Sequence, residues 1–151
     1  MHPSFHNSIA LRWDHTTQSF KSILRKELSW SVSDAATFYG ALLVERFRTY
    51  GGNHLDLSDH KERLLLGASQ FAIDVPAVIS DLDAHAAHLL ELNKSLVQQI
   101  GDLGIVFLLS PGETSDCTTA LGTRPTCMMH LIELPYRKLA RWYTHGIDLS
   151  L

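Results

Sequence analysis

Cysteine is scarce in this sequence: Cys117 and Cys127 are the only two in 151 residues. Two cysteines do not make the disulfide framework of a small secreted domain. Long apolar runs are missing as well, and none approaches the roughly 18 residues of a membrane-spanning helix. The start, Met-His-Pro-Ser-Phe-His, lacks the basic and apolar regions of a secretory signal. There is no excess of positive charge either. Thirteen Lys and Arg stand against sixteen Asp and Glu, a net charge of −3, which excludes the electrostatic footprint of a general nucleic-acid binder. No internal repeat and no low-complexity tract interrupts the chain. The cytoplasm is therefore the expected location, with no membrane and no nucleic acid among the expected partners. What is present is 45% hydrophobic residues with only 19% charged, the balance of a folded domain and not of a solvated tail. A chain of this length buries roughly 70% of its unfolded surface and needs no disulfide or metal to fold.

Patterning predicts the elements. Residues 1–27, with apolar positions at Ile9, Leu11, Trp13 and Phe20, suggest one or two strands. Leu28–Val32 alternates as a half-buried strand does. Ser33 or Asp34 then opens a short turn or helix. In Ala41–Tyr50, a strand would point Val44, Arg46, Arg48 and Tyr50 one way and Glu45, Phe47 and Thr49 the other. Gly51-Gly52-Asn53 marks a turn and His54–Asp56 a short return strand. Residues 57–72 read as a helix capped by Asp56 or Ser58, with Leu57, Leu64, Ala68 and Phe71 on its apolar face. A second helix is predicted from Pro76 to Gln99, burying Ile79, Leu82, Ala86, Leu89, Leu90 and Leu96. Ile105–Leu109 has the length of a central strand. Residues 112–126 form a loop rich in Gly, Ser, Thr and Asp, Cys127–Leu134 a further strand, and Tyr136–His145 a short helix. The expected class is α+β: a two-layer domain with a largely antiparallel sheet and two main helices on one face.

Three short motifs then follow in order: Tyr39-Gly40 with Asp34 ahead of it, the strand Glu45-x-x-Arg48-x-Tyr50, and the helix His60-x-x-Arg63-Leu64. Together they resemble the small N-terminal domain of the class IV (fold type IV) pyridoxal-phosphate enzymes. That family includes branched-chain aminotransferases, D-amino acid aminotransferases and aminodeoxychorismate lyases. The likeness covers residues 28–151. It divides the chain into a small domain over 1–145 and the start of a linker or second-domain strand over 146–151. The alternating end, Gly146–Leu151, reads as a chain that lacks its second half.

The resemblance implies a pyridoxal phosphate cofactor, an amino acid or an aminodeoxychorismate-like compound as substrate, and a homodimer. It makes Arg63 the phosphate-binding residue, and a planar guanidinium fork suits phosphate oxygens. The plainer alternative is a solvated helix arginine paired to Asp59. Tyr39, Arg46 and Arg48 would line or border the substrate pocket, with residues 112–126 gating it. Tyr39 is otherwise a core or interface tyrosine, and Arg48 a partner for a cross-strand carboxylate. Glu45 matches a structural acid. There are departures. Arg46 stands where relatives carry a small residue, and Gly104 and Val106 stand where branched-chain aminotransferases carry Tyr and Arg for the substrate carboxylate. The family's Schiff-base lysine also lacks a counterpart among Lys21, Lys26, Lys61, Lys94 and Lys138. The expectation is that these 151 residues alone are inactive, with no catalytic residue of their own. The rival reading is a non-catalytic binding or assembly domain that keeps the fold without the cofactor. Two further signals are weak. His54, His60, His85 and His88 lack a completing ligand at a recognised metal spacing, and Cys117 has no neighbouring cation to activate it.

Overall fold

Six strands form one antiparallel sheet. The computed structural model describes residues 3–73, 75, 79–114 and 124–146. The strands are β1 (Ile9–Asp14), β2 (Ser19–Leu24), β3 (Leu43–Tyr50), β4 (Asn53–His54), β5 (Gly104–Ser110) and β6 (Thr126–Ile132). Their order across the sheet is β2-β1-β6-β5-β3-β4. The helices are α1 (Ala35–Tyr39), α2 (Leu57–Gln70), α3 (Leu82–Leu92), α4 (Lys94–Ile100) and α5 (Tyr136–His145). Short 3-10 turns cover Pro3–Asn7 and Arg25–Glu27. Among the described residues no helix is long and apolar enough to cross a membrane.

The predicted class holds. The helices α2, α3 and α4 bury Leu64, Ala68, Leu82, Ala86, Leu89 and Leu96 against one face of the sheet. That face presents Leu11 and Trp13 of β1, Phe47 of β3, Ile105 and Phe107 of β5, and Met129 and Leu131 of β6. The cross-strand register sets this row by row, with Glu45 opposite Phe107 and Phe107 opposite Met129. Slipping any of these strands by one residue would turn its apolar set to the other face. The continuous apolar run of β5 reflects its central place, buried on both faces.

The first 27 residues supply the β1–β2 hairpin, closed by Trp13 against Phe20 with ring centroids 5.7 Å apart. The Asp14 carboxylate accepts a hydrogen bond from the Thr16 amide at 2.7 Å and pairs with Lys21.

Three predicted boundaries differ. Leu28–Val32 is not a strand. It lies beside Leu108 and Met128 on the sheet, pairs with no strand, and its serines bond locally. The hydroxyls of Ser31 and Ser33 lie 2.8 Å apart, and the Asp34 amide donates to Ser31 O. The first long helix stops at Gln70, so Phe71 falls outside it and is exposed, while Ile73 folds back to be buried. The second predicted helix breaks at Asn93. That buried amide accepts from Ile9 N at 2.8 Å and donates to Ile9 O at 3.0 Å, pinning β1 to the helix layer. Asparagine favours such backbone bonds over helix continuation. The predicted helix start at Pro76, the loop residues 115–123 with Cys117, and residues 147–151 lie outside the described residues.

Candidate functional site

The strand β3 separates the candidate residues by pleat. Phe47 and Thr49 are buried under the helices, and Glu45 shares their side. Val44, Arg46, Arg48 and Tyr50 point to the opposite face. The helix α2 packs on β3 and brings His60 and Arg63, three residues apart and therefore neighbours on one helix face, over Glu45.

These three side chains form one cluster. His60 Nδ1–H donates to Glu45 Oε2 at 2.7 Å. Arg63 donates from Nη2 to the same oxygen at 2.7 Å and from Nε to Oε1 at 3.3 Å. The His60 ring also stacks at a tilt on Phe47, centroids 5.4 Å apart, which fixes its orientation. The carboxylate is largely enclosed, with 12% of its side chain exposed, while the guanidinium is 61% exposed. Burial pushes the Glu45 carboxyl up, but hydrogen bonds from Arg63 and His60 outweigh it, and the net direction is down from the usual 4.5. The same bond to Glu45 raises the Arg63 guanidinium.

The expected alternative partner of Arg63, Asp59, is not the one it takes. A two-point contact with a half-buried carboxylate is stronger than a solvent-screened pair along the helix. Glu45 therefore plays a larger part than the sequence suggested. The signal that would have found the cluster is the i, i+3 spacing of His60 and Arg63 opposite an inward-facing acid.

The lowered Glu45 carboxyl has a consequence for stability. A group with a depressed folded pKa contributes stability above its unfolded value and loses it as pH falls through the folded one. Glu45→Gln should therefore be less stable than the parent at pH 7, by about 1 kcal/mol or less because Arg63 is screened by water. The gap should close as pH drops below 4.5. Urea unfolding of both proteins across that range checks it; a gap that stays constant would remove Glu45 ionisation as the cause.

The remaining candidates lie elsewhere. Tyr39 ends α1 with its side chain half exposed, and Gly40 closes that helix in the left-handed conformation (φ 65°), which explains the glycine after the tyrosine. Arg46 is exposed. Arg48, at the far end of β3, stands over the Tyr136 ring at 5.9 Å and donates from Nε to Thr49 O. Thus Arg63 lies on one side of the sheet, and Arg46 and Arg48 on the other. The gate assigned to residues 112–126 falls mostly outside the described residues.

Packing accounts for one departure. A Cβ at Gly104 would come within 2.6 Å of Ile132 Cγ1. The space a tyrosine would need is filled by Ile132 and Leu134. Cys127 is inert by burial, which pushes its thiol up to about 12. Among the described residues no group of three or more His, Cys, Asp or Glu side chains is arranged to hold a metal.

Comparison with solved structures ties this geometry to a known fold. The chain superposes on a Corynebacterium glutamicum protein provisionally named an aminotransferase, with a TM-score of 0.72 and 19% identity over 94% of this chain and 54% of that one. This is the fold of the class IV aminotransferases. A Mycobacterium tuberculosis protein provisionally named an aminotransferase, in its PLP-bound form, matches with a TM-score of 0.67 and 13% identity over 90% of this chain and 43% of the other. A Legionella pneumophila protein provisionally named 4-amino-4-deoxychorismate lyase gives 0.59 and 23% identity over 73% of this chain and 39% of its own. The chain therefore spans about half the length of these structures or less. No family model matches the sequence, and no curated protein does.

Proposed function

We propose that this chain forms the small-domain part of a class IV pyridoxal-phosphate enzyme acting on amino acids, an aminotransferase or an aminodeoxychorismate-lyase-like enzyme, in which Arg63 holds the cofactor phosphate. The observation that supports it best is the meeting of two motifs in the fold these enzymes share. The helix motif His60-x-x-Arg63 lands on the first residue of the strand motif Glu45-x-x-Arg48.

The residues present fit the group. A phosphate needs charged donors held in place, and Glu45 engages only two of the five N–H groups of Arg63. When bound, pyridoxal phosphate supplies an electrophilic carbonyl for the amino group and a ring that takes up the electron pair released at the substrate. Arg63 anchors the phosphate, and Glu45 and His60 orient Arg63 by fixing one edge of its guanidinium. Tyr39, Arg46 and Arg48 border the substrate, with Arg46 offering its cation to the substrate carboxylate. Because Arg46 and Arg63 occupy opposite faces, this division suits a homodimer in which one copy supplies the phosphate anchor and its partner the substrate border. On the resemblance, none of Lys21, Lys26, Lys61, Lys94 and Lys138 stands in the position of the family's cofactor-bearing lysine. On this reading these 151 residues alone bind the cofactor by its phosphate and do not turn over substrate.

The test compares pyridoxal phosphate with pyridoxal, which lacks the phosphate, by calorimetric titration of the chain and of Arg63→Ala. The parent should prefer the phosphorylated form by about tenfold or more, and Arg63→Ala should lose that preference. Borohydride should fix no cofactor to the chain. An equal preference in Arg63→Ala would take the phosphate role away from this residue. The second reading, a binding or assembly domain without cofactor, draws support from the closed space at Gly104 and expects no preference in either protein.

A further inference from the structure

Three atoms meet at one corner between α2 and β3: Nδ1 of His60, Nη2 of Arg63 and Oε2 of Glu45. Each nitrogen lies 2.7 Å from the oxygen, and 2.8 Å separates the two nitrogens. A guanidinium nitrogen only donates, and an ionised carboxylate only accepts. Arg63 Nη2 carries two hydrogens, enough for both neighbours. Nδ1 is the atom whose role is open, because an imidazole nitrogen donates with a proton on it and accepts without one. With the proton, Nδ1 bonds Glu45 and sets an N–H against the N–H of Arg63. Without it, Nδ1 takes the second Nη2 hydrogen and sets a lone pair against Oε2. The triangle satisfies two of its three sides in either state.

The ring has little room to escape this choice. Phe47 packs on it, and the His60 and Glu45 side chains are only 16% and 12% exposed. Few other charges bear on it. On this side of β3 the charged residue is Glu45, since Arg46 and Arg48 point to the opposite face. On α2, Asp59 acts on Arg63 through its charge, Lys61 is turned to Ser80 O, and Glu62 is exposed. The pull on the Glu45 carboxyl comes from Arg63 and His60. Two donors therefore compete for one carboxylate, and the proton on Nδ1 decides between them.

We propose that His60 is a proton-operated latch on Arg63. With a proton on Nδ1, His60 holds Oε2 for itself and the Nη2 corner of the guanidinium is freed for a doubly charged oxyanion. Arg63 Nε stays on Oε1 and keeps the side chain in place. Without that proton, Nη2 is tied between Glu45 and His60. The inference rests on the reading of Arg63 as the phosphate anchor and adds regulation to it. As pH falls both ring nitrogens carry protons, so Nδ1 keeps only its donating role and the latch opens. By linkage, an anion that takes Nη2 favours the protonated ring, and its binding takes up a proton.

The test uses the full chain without cofactor, with His60 and the Arg63 guanidinium followed by NMR as pH is lowered. The Nη resonances of Arg63, separate while the corner is tied, should merge as His60 gains its proton, because the freed group rotates. Through-space charge alone would shift them without merging them. His60→Gln should remove the step. Separation that persists in the parent, or the same merging step in His60→Gln, overturns the proposal. Should His60→Gln not fold, Glu45→Gln answers the same question. It keeps both nitrogens and removes the charge they compete for, so a step that survives there overturns the latch. Sulfate, which stays doubly charged over this range, tests the anchor separately, with chloride at matched ionic strength as the reference. Its affinity should rise by about fivefold or more as His60 is protonated, the lower end of coupling between linked sites, and His60→Gln should flatten that rise. Sulfate that binds Arg63 equally at every pH also overturns the latch. Merging without any response of Arg63 to sulfate sustains the latch and removes the anchor instead.

Discussion

Asp34→Ala should lower the free energy of unfolding by about 3–5 kcal/mol, the range for breaking a buried hydrogen-bonded network. The residue precedes α1 and is 1% exposed. One oxygen accepts from Ala36 N at 2.9 Å, capping that helix, and from the Ser110 hydroxyl at 2.7 Å. The other accepts from the Thr126 hydroxyl at 2.7 Å. Three elements therefore meet on one carboxylate: the start of α1, the end of β5 and the start of β6. Truncation leaves the buried Ser110 hydroxyl without its acceptor and removes the cap, and each loss costs more than the net value of the bond because no water replaces it. Urea unfolding measures the change. Asp34→Asn keeps the shape and one acceptor and should lose less. A loss below about 1 kcal/mol for the alanine variant would show that the hydroxyls find other partners.

The motif Asp34-x-x-x-x-Tyr39-Gly40 thereby acquires a physical meaning. The aspartate is the fixed point, the glycine is the left-handed exit, and Tyr39 is what the short helix holds out between them. The sequence carried this order but not its reason, since the hydroxyl donors lie 76 and 92 residues away in the chain. What was legible followed from local periodicity. The alternation of β3 told which side chains share a face, and the apolar run of β5 told that it is central. What was not legible depended on partners distant in sequence. Nothing near Asn93 says that its amide will clasp Ile9 and break a helix. Nothing near Leu28–Val32 says that the sheet will offer it no edge. The predicted alternation does not survive there: Leu28 and Trp30 turn toward the sheet, but Val32, which a strand would place on the same side, is exposed to solvent, because pairing needs a neighbour as well as a pattern. For the candidate site, Arg63 was named from its motif, while its partnership with Glu45 emerged only when α2 was laid over β3.

Gly112→Ala should be comparably damaging, at about 3 kcal/mol or more. Its φ of +90° is a conformation that L side chains avoid, and a Cβ there would sit 1.9 Å from Arg124 O and 2.8 Å from Arg124 C. These are backbone atoms, so no rotamer change relieves the overlap. The segment bridging Gly112 and Arg124 must part instead. Gly112 also belongs to the Asp34 network. Its carbonyl accepts from Ala35 N at 2.9 Å, and its amide donates to the Ser110 hydroxyl that itself donates to Asp34. Two lesions in one network should not add. The double variant Asp34→Ala/Gly112→Ala is expected to lose less than the two single losses together, by about 0.5–3 kcal/mol, the size of coupling between residues that share partners. Strict additivity in that cycle would mean that α1 and the β5–β6 end are secured independently. The placement of Tyr39 would then rest on the α1 cap alone, and no longer on the strands that carry the rest of the sheet.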